Sequence, residues 1–320
     1  MHRKIKHAAL LAALVSLGLN TPALAGSKKT TIKPQAKSHQ KVGKLAVTKR
    51  ELLGKKVSSP SYDQNPAHLA LGSASAIVID QNSGTLLLDK SSNQVTPIAS
   101  VTKLMTAMVV LDAHLDLNEV ITVGEEDVDT LKGTRSRLPV GTSMTRETAL
   151  LLALMSSDNR AANALGRHYP GGLRAFVQAM NRKAHELEMY STHFDEPTGL
   201  SSTNVSTARD LAKMVAASVH YPEIRRASTT AEALVEIHGR VQAFSNTNAL
   251  VKSDTWQIGV SKTGYIAEAG RCLVMQARVA DRPVIIVLLD SNGKMTRVGD
   301  ANRIKRWMES ASLTPERRPV

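Results

Sequence analysis

Strand-like segments stand near both ends of this 320-residue chain and helix-like segments fill the middle, so any central sheet has to be assembled from distant parts of the sequence. Near one end, Ala76-Ile77-Val78-Ile79, the turn Asp80-Gln81-Asn82-Ser83-Gly84 and Thr85-Leu86-Leu87-Leu88 read as an antiparallel hairpin. Near the other end, strand-like runs occur at Trp256–Val260, Cys272–Ala280 and Pro283–Leu289, and a final helix is predicted from about Gly299 to Ser310. Between about residues 98 and 220, apolar residues recur at helical spacing: Val101, Leu104, Met105, Met108, Leu111 and Leu115 first, then Thr145–Leu165 and Ala208–Val219. No internal repeat is found.

The sequence divides into three parts. Arg3, Lys4 and Lys6 precede an apolar run from Ala8 to Leu19, then Pro22 and the small-residue triplet Ala23-Leu24-Ala25, which is the pattern of a secretory signal peptide cleaved after Ala25. The run is shorter than the ~20 apolar residues of a spanning helix. Residues 26–60 are rich in Lys, Ser, Thr and Gln, lack sustained periodicity, and read as a basic flexible linker. Such a tail suits either screened electrostatic contact with anionic envelope polymers or a plain soluble spacer. Residues 61–320 are the expected folded domain.

The formal charge of +13 first points to nucleic acid, but its location removes that reading. Residues 1–25 hold three basic and no acidic residues, and 26–60 hold ten basic and one acidic. Of the totals of 41 and 28, that leaves 28 basic and 27 acidic residues for 61–320. Aromatic residues make up 3% of the chain, too few for a base-stacking surface. The ten histidines form no H-x-x-x-H pair and Cys272 is the single cysteine, so neither a metal site nor an internal disulfide is expected. Cys272 lies in an apolar run and is expected to be a buried, inert thiol.

Candidate chemistry sits in three short motifs. Ser100-Val101-Thr102-Lys103 places a hydroxyl and an amine three residues apart, on one face of the helix that follows Pro97. A serine attacks a carbonyl usefully when a neighbour removes its proton, and a lysine does so when burial and nearby positive charge depress its pKa. A helix N-terminus also offers backbone N–H groups to an oxyanion. The pattern alone is weak, since it arises by chance about once in a chain of this size. Two further matches exist here, Ser38 to Lys41 in the linker and Ser291 to Lys294 in a turn, and neither presents a helix face to a core. Ser157-Asp158-Asn159 follows the apolar run Leu150–Met155 and is placed to line a cleft. Lys262-Thr263-Gly264 is read as ending the strand from Gln257 to Ser261, offering a cation, a hydroxyl and an open backbone position to a carboxylate and an extended peptide. By composition, all three occurring in order is a coincidence well under about one in a hundred.

With this trio, and with Phe194–Leu200, Asn204–Leu211, Asn246-Thr247-Asn248 and Lys262-Thr263-Gly264-Tyr265, the chain from about Ala74 to Met308 resembles the low-molecular-mass penicillin-binding proteins, the D-alanyl-D-alanine peptidases, and most closely their type-7 endopeptidase subgroup. The resemblance implies a mixed α/β fold of the serine β-lactamase and transpeptidase-like type: a largely antiparallel sheet packed on helices, with a helical subdomain. It implies an acyl-enzyme cycle on the stem peptides and D-alanyl cross-links of peptidoglycan. In that cycle Ser100 is the nucleophile and Lys103 its base, while Ser157 and Lys262 relay a proton to the leaving amine. Asn159 holds the substrate amide, Thr263 and Gly264 border the substrate, and the N–H groups of Ser100 and Tyr265 form the oxyanion hole. Arg297, ten residues before Trp307, is either a further carboxylate-binding residue or a solvated arginine at a helix start.

β-Lactam antibiotics are the expected covalent inhibitors, no cofactor is expected, and the expected location is periplasmic, because only a short polar end follows Met308. Lys262 is expected to help keep Lys103 neutral through its positive charge. Three alternatives remain: a D-alanyl-D-alanine carboxypeptidase, which uses the same acyl-enzyme; a class A-like β-lactamase, whose loop reads E-P-x-L-N where this chain has Glu196-Pro197-Thr198-Gly199-Leu200-Ser201; and a non-catalytic penicillin- or wall-binding module.

Overall fold

The computed structural model describes residue 65 and residues 69–312, all within one compact unit spanning 58–320. The expected leader, the linker and the Ser38 to Lys41 match lie outside the described residues. Strands β1 (Ser73–Asp80) and β2 (Leu86–Lys90) form the expected hairpin. After β3 (Thr96–Pro97), a 3-10 turn (Ala99–Thr102) leads directly into α1 (Lys103–Asp112). Then come β4 (Val120–Thr122), β5 (Ser143–Thr145), α2 (Arg146–Met155), α3 (Asn159–Arg167) and α4 (Gly172–Glu186). The chain continues through β6 (Val205–Ser206), α5 (Ala208–Ser218), α6 (Pro222–Thr229) and the hairpin β7 (Glu232–Ile237) and β8 (Arg240–Ser245). It closes with β9 (Gln257–Ile266), β10 (Gly270–Val279), β11 (Arg282–Ser291) and α7 (Thr296–Ser312).

The main sheet has the order β2-β1-β11-β10-β9, with every neighbouring pair antiparallel. Segments from both ends of the chain meet where β1 pairs with β11, Ile77 opposite Val287. Side chains alternate between two cores. Leu273, Met275, Ile286 and Leu288 point toward Ala301, Ile304 and Met308 of α7, while Cys272, Val274, Val287 and Leu289 join α1, α2 and α5 on the other face. Burial on both faces is why β11 reads as an unbroken apolar run instead of an alternating one.

Asp300 of α7 fastens this arrangement at the start of β1. It is fully buried and accepts hydrogen bonds from Gly72 N (3.1 Å), Ser73 N (2.8 Å) and Ser73 Oγ (2.6 Å). Ser291, from the discarded third S-x-x-K match, is buried beside it with its Oγ 2.7 Å from Ser73 Oγ.

Three differences from the sequence reading have clear causes. β9 does not stop at Ser261 but runs through Lys262, Thr263 and Gly264, because these residues pair with Val274, Leu273 and Cys272 of β10. Residues 232–245, left unassigned from sequence, form a hairpin around His238-Gly239, both at positive φ, as a two-residue primed turn requires. The helical run from Thr145 to Leu165 is two helices, broken where Ser157 adopts φ +61°.

Replacing Asp300 by Ala leaves the buried Ser73 N–H without its acceptor and removes one bond each from Gly72 N and Ser73 Oγ, and is expected to lower stability by ~2–3 kcal/mol. A urea unfolding curve of the variant checks this, and an unchanged midpoint would deny the tie its role.

Candidate active site

Ser100 sits in the 3-10 turn and Lys103 opens α1, so the three-residue spacing puts both on one side of the same short helical segment. Lys103 Nζ lies 2.9 Å from Ser100 Oγ. The lysine is fully buried, and its two other contacts are Asn159 Oδ1 and Thr198 O, each at 2.7 Å. Both of those oxygens can only accept hydrogen bonds. A neutral amine has two N–H groups for them and one lone pair left for the Ser100 hydroxyl proton. Burial is the main cause that brings the Lys103 pKa down to about 8, and the carboxylates of Glu196, Asp158 and Asp129 oppose the drop.

Ser157 reaches the site from the α2–α3 break. Asp158 caps α3 by accepting from Ala161 N at 3.0 Å, which turns Ser157 and Asn159 toward the cleft from opposite sides of the cap. Ser157 Oγ is 2.8 Å from Lys262 Nζ, which also donates to Thr263 O at 2.9 Å. Lys262 is buried, and its pKa falls well below the ordinary lysine value through burial first, then repulsion from Lys103 and Arg297. Repulsion between the two buried lysines is thus secondary to burial. For Lys103, expected to be kept neutral with help from the Lys262 charge, burial is the main cause. Thr263 Oγ1 donates to Thr247 Oγ1 at 2.7 Å.

Two glycines bring the parts this close. A Cβ on Gly264 would lie 3.0 Å from Ile98 O, Ala99 Cβ and Ser100 N, so β9 abuts the serine turn only because that atom is missing. On the other side Gly199, at φ +81°, would place a Cβ 1.9 Å from Ala99 O. Ala99 itself is held at φ +49°, a strained conformation for a residue with a side chain.

The remaining predicted residues fall around this centre. Tyr265 is exposed, with the Arg271 guanidinium 4.3 Å from its ring centroid. Arg297 is not solvated at its helix start; its Nη1 donates to Gly264 O at 2.9 Å and Cys272 O at 3.1 Å, behind the strand. Cys272 is buried with its thiol pKa pushed up to about 11, in keeping with an inert role. Glu196 is a loop brace: its carboxylate accepts from Thr198 N and Gly199 N at 2.6 Å, Asn204 Nδ2 at 3.1 Å and Ser201 N at 3.3 Å.

Sequence reasoning missed Thr198, whose contribution is a backbone oxygen and carries no side-chain signal. It also missed Thr134, whose Oγ1 accepts from Asn159 Nδ2 at 2.9 Å. The loop holding Thr134 is legible in retrospect, because Asp129 accepts from the N–H groups of Leu131, Lys132 and Thr134, and Gly133 has φ +63°.

A hydroxyl beside a buried, deprotonable amine, with a second hydroxyl–amine pair facing it, is equipped for acyl transfer. The model of the Peptidase_S11 family, described as D-alanyl-D-alanine carboxypeptidase, matches residues 61–293. The chain belongs to the Peptidase_S11 family. It is thus a hydrolase of the serine D,D-peptidase kind. A Peptidase_S11 relative from Pseudomonas aeruginosa, named D-alanyl-D-alanine endopeptidase, is 49% identical over 80% of this chain and 84% of its own length. The Escherichia coli K12 protein of the same name is 46% identical over 77% and 80% respectively. The crystal structure of the Streptomyces K15 DD-transpeptidase superposes with a TM-score of 0.70 at 28% identity, over 76% of this chain and 98% of that one. The mixed α/β fold expected from sequence is the fold of this Peptidase_S11 chain.

Gly199→Ala is expected to destabilise much more than Gly84→Ala. Both positions have positive φ (+81° and +70°), but only the first meets backbone, while nothing lies within 4 Å of the second. About 1 kcal/mol is expected at Gly84 and several at Gly199. Equal melting temperatures for the two variants would show that the close approach at Ala99 does not matter.

Proposed function

We propose that the protein is an exported, periplasmic serine endopeptidase that cleaves D-alanyl cross-links in peptidoglycan. The observation that carries this is the Lys103 amine, enclosed between two acceptor-only oxygens with its third contact on Ser100 Oγ. With a pKa of about 8, roughly one-tenth of Lys103 is neutral at pH 7, against about 3 in 10,000 for an ordinary lysine.

Ser100 Oγ attacks the carbonyl of a D-alanine residue as Lys103 takes its proton. The oxyanion formed is held by the N–H groups of Ser100 and Tyr265. The C–N bond then breaks, leaving an ester on Ser100, and Ser157 with Lys262 passes a proton to the departing amine. Asn159 holds the substrate amide while Thr263 and Gly264 flank the extended peptide. Arg297, bound behind the strand to Gly264 O, positions this edge and adds positive charge beneath a substrate carboxylate. Water then adds to the ester, releasing the carboxylate product and regenerating the Ser100 hydroxyl. A penicillin follows the same first step, with its lactam carbonyl as the target.

Three considerations separate this reading from its rivals. Glu196, the carboxylate a β-lactamase would direct at a deacylating water, is occupied by the N–H groups of its own loop. A non-catalytic module has no need of two depressed lysines beside two serines. Endopeptidase action over carboxypeptidase action is supported by the names of the relatives at 46–49% identity.

Digestion of purified cross-linked peptidoglycan with the mature protein, followed by mass analysis, tests the whole. Dimeric fragments are expected to disappear, and Ser100→Ala to abolish the loss. Removal of terminal D-alanine with dimers left intact would make the protein a carboxypeptidase.

The rate of Ser100 acylation is expected to rise with pH through a midpoint near 8, since the neutral amine is the active form. Lys262→Met should lower the rate yet leave that midpoint in place. A midpoint that moves by a unit or more toward the ordinary lysine value would return Lys262 to the role of electrostatic partner.

A further inference from the structure

Beyond Ser157 the cleft continues into a cavity of about 300 Å³, walled by Ser157 and Asn159 on one side and by Arg135, Arg137 and the end of β8 on the other. Its accessible charge is positive. Arg135 and Arg137 are both exposed, and among the described residues no carboxylate forms an ion pair with either. The one acid in the lining, Asp158, is 9% exposed and already accepts from Ala161 N at 3.0 Å and Ser136 Oγ at 2.7 Å.

The loop that carries the two arginines is tied down at three points. Arg137 Nη1 donates to Ala243 O of β8 at 2.6 Å, with its guanidinium 5.4 Å from the Phe244 ring centroid. Thr134 accepts from Asn159 at 2.9 Å, and Lys132 pairs with Glu268 in the β9–β10 turn. Arg135 thus projects from an anchored loop, which limits the ordering needed when it binds. A guanidinium without a carboxylate partner, beside a second arginine and with the lining's one acid already hydrogen-bonded, is chemically matched to a carboxylate.

The pocket's side of the reacting bond follows from Ser157. If Ser157 and Lys262 deliver a proton to the departing amine, the space past Ser157 holds the departing segment. We propose that Arg135, assisted by Arg137, is a specificity-determining residue that binds a carboxylate on the amine-side, departing stem of the cross-link. The assignment rests on the endopeptidase reading above and names the part of the substrate that reading leaves open. A terminal D-alanine carries its own carboxylate close to the reacting bond, at Lys262 and Thr263. A longer stem brings a further one within reach of Arg135.

The test uses the mature protein and two peptide substrates with the same D-alanyl donor, whose departing segments differ only in a carboxylate or a carboxamide at the group beyond the amine. Wild type is expected to favour the carboxylate substrate by roughly three- to ten-fold in kcat/KM, mainly through KM. Arg135→Gln should bring that ratio close to one, and Arg135→Lys should keep part of it. A wild-type ratio of one, or a ratio unchanged in Arg135→Gln, overturns the proposal while cleavage of both substrates leaves the endopeptidase reading standing. If wild type cleaves neither substrate, the endopeptidase reading itself falls and the subsite with it. Acylation of Ser100 by a penicillin, measured in each variant, separates loss of the subsite from loss of the fold.

Discussion

An amine enclosed at the root of α1 with no carboxylate in contact is the constraint that organises the rest of this molecule. Removing an ammonium from water is penalised by several kcal/mol after relaxation, and a paired carboxylate would offset that only by locking the charge in place. The protein surrounds Lys103 instead with a serine hydroxyl, a side-chain amide oxygen and a backbone carbonyl. Burial brings the pKa down to about 8 while the carboxylates of Glu196, Asp158 and Asp129 oppose the drop, so the proton remains exchangeable. A base that both accepts and returns a proton within one cycle needs that balance.

Supplying those oxygens dictates much of the local architecture. Asn159 arrives from the start of α3, which requires the break at Ser157 and the Asp158 cap. Thr198 O arrives from a loop that has little regular structure and is held by the Glu196 carboxylate in its interior, with Thr106 Oγ1 donating to Pro197 O at 2.6 Å. Gly199 and Gly264 then approach the Ala99–Ser100 backbone from two sides, closer than any side chain would permit. The same packing excludes water from Lys262, so the second amine is depressed as well, by burial first and then by repulsion from Lys103 and Arg297.

Legibility tracked the range of the interaction. Ser100 and Lys103 were found because a three-residue spacing survives folding unchanged, and the hairpin of β1 and β2 because its alternation and turn are local. The strand containing Lys262 was read as too short, because a lysine looks like a strand end until its burial against β10 is known. The β7–β8 hairpin escaped notice although His238-Gly239 marked its turn, since its outward face carries Leu234 and Val241 among glutamates and the pattern matches no simple period. Arg297 is a carboxylate ligand or a solvated side chain by sequence, and the sequence does not show that its Nη1 also bonds to Gly264 O and Cys272 O, two carbonyls from different strands.

By itself the sequence determined the strand segments near both ends, the helical middle and the identity of the groups able to do chemistry, because periodicity and short spacings are properties of the chain alone. Only the tertiary structure decided which groups share a hydrogen bond and that burial lowers the pKa of both lysines. Those depend on burial and on backbone oxygens contributed from far along the chain, as Thr198 O is to Lys103 across 95 residues. The mouth of the cleft was decided the same way, since Arg135 and Ser157 lie on separate loops and become neighbours only when the α2–α3 cap and the end of β8 close around them.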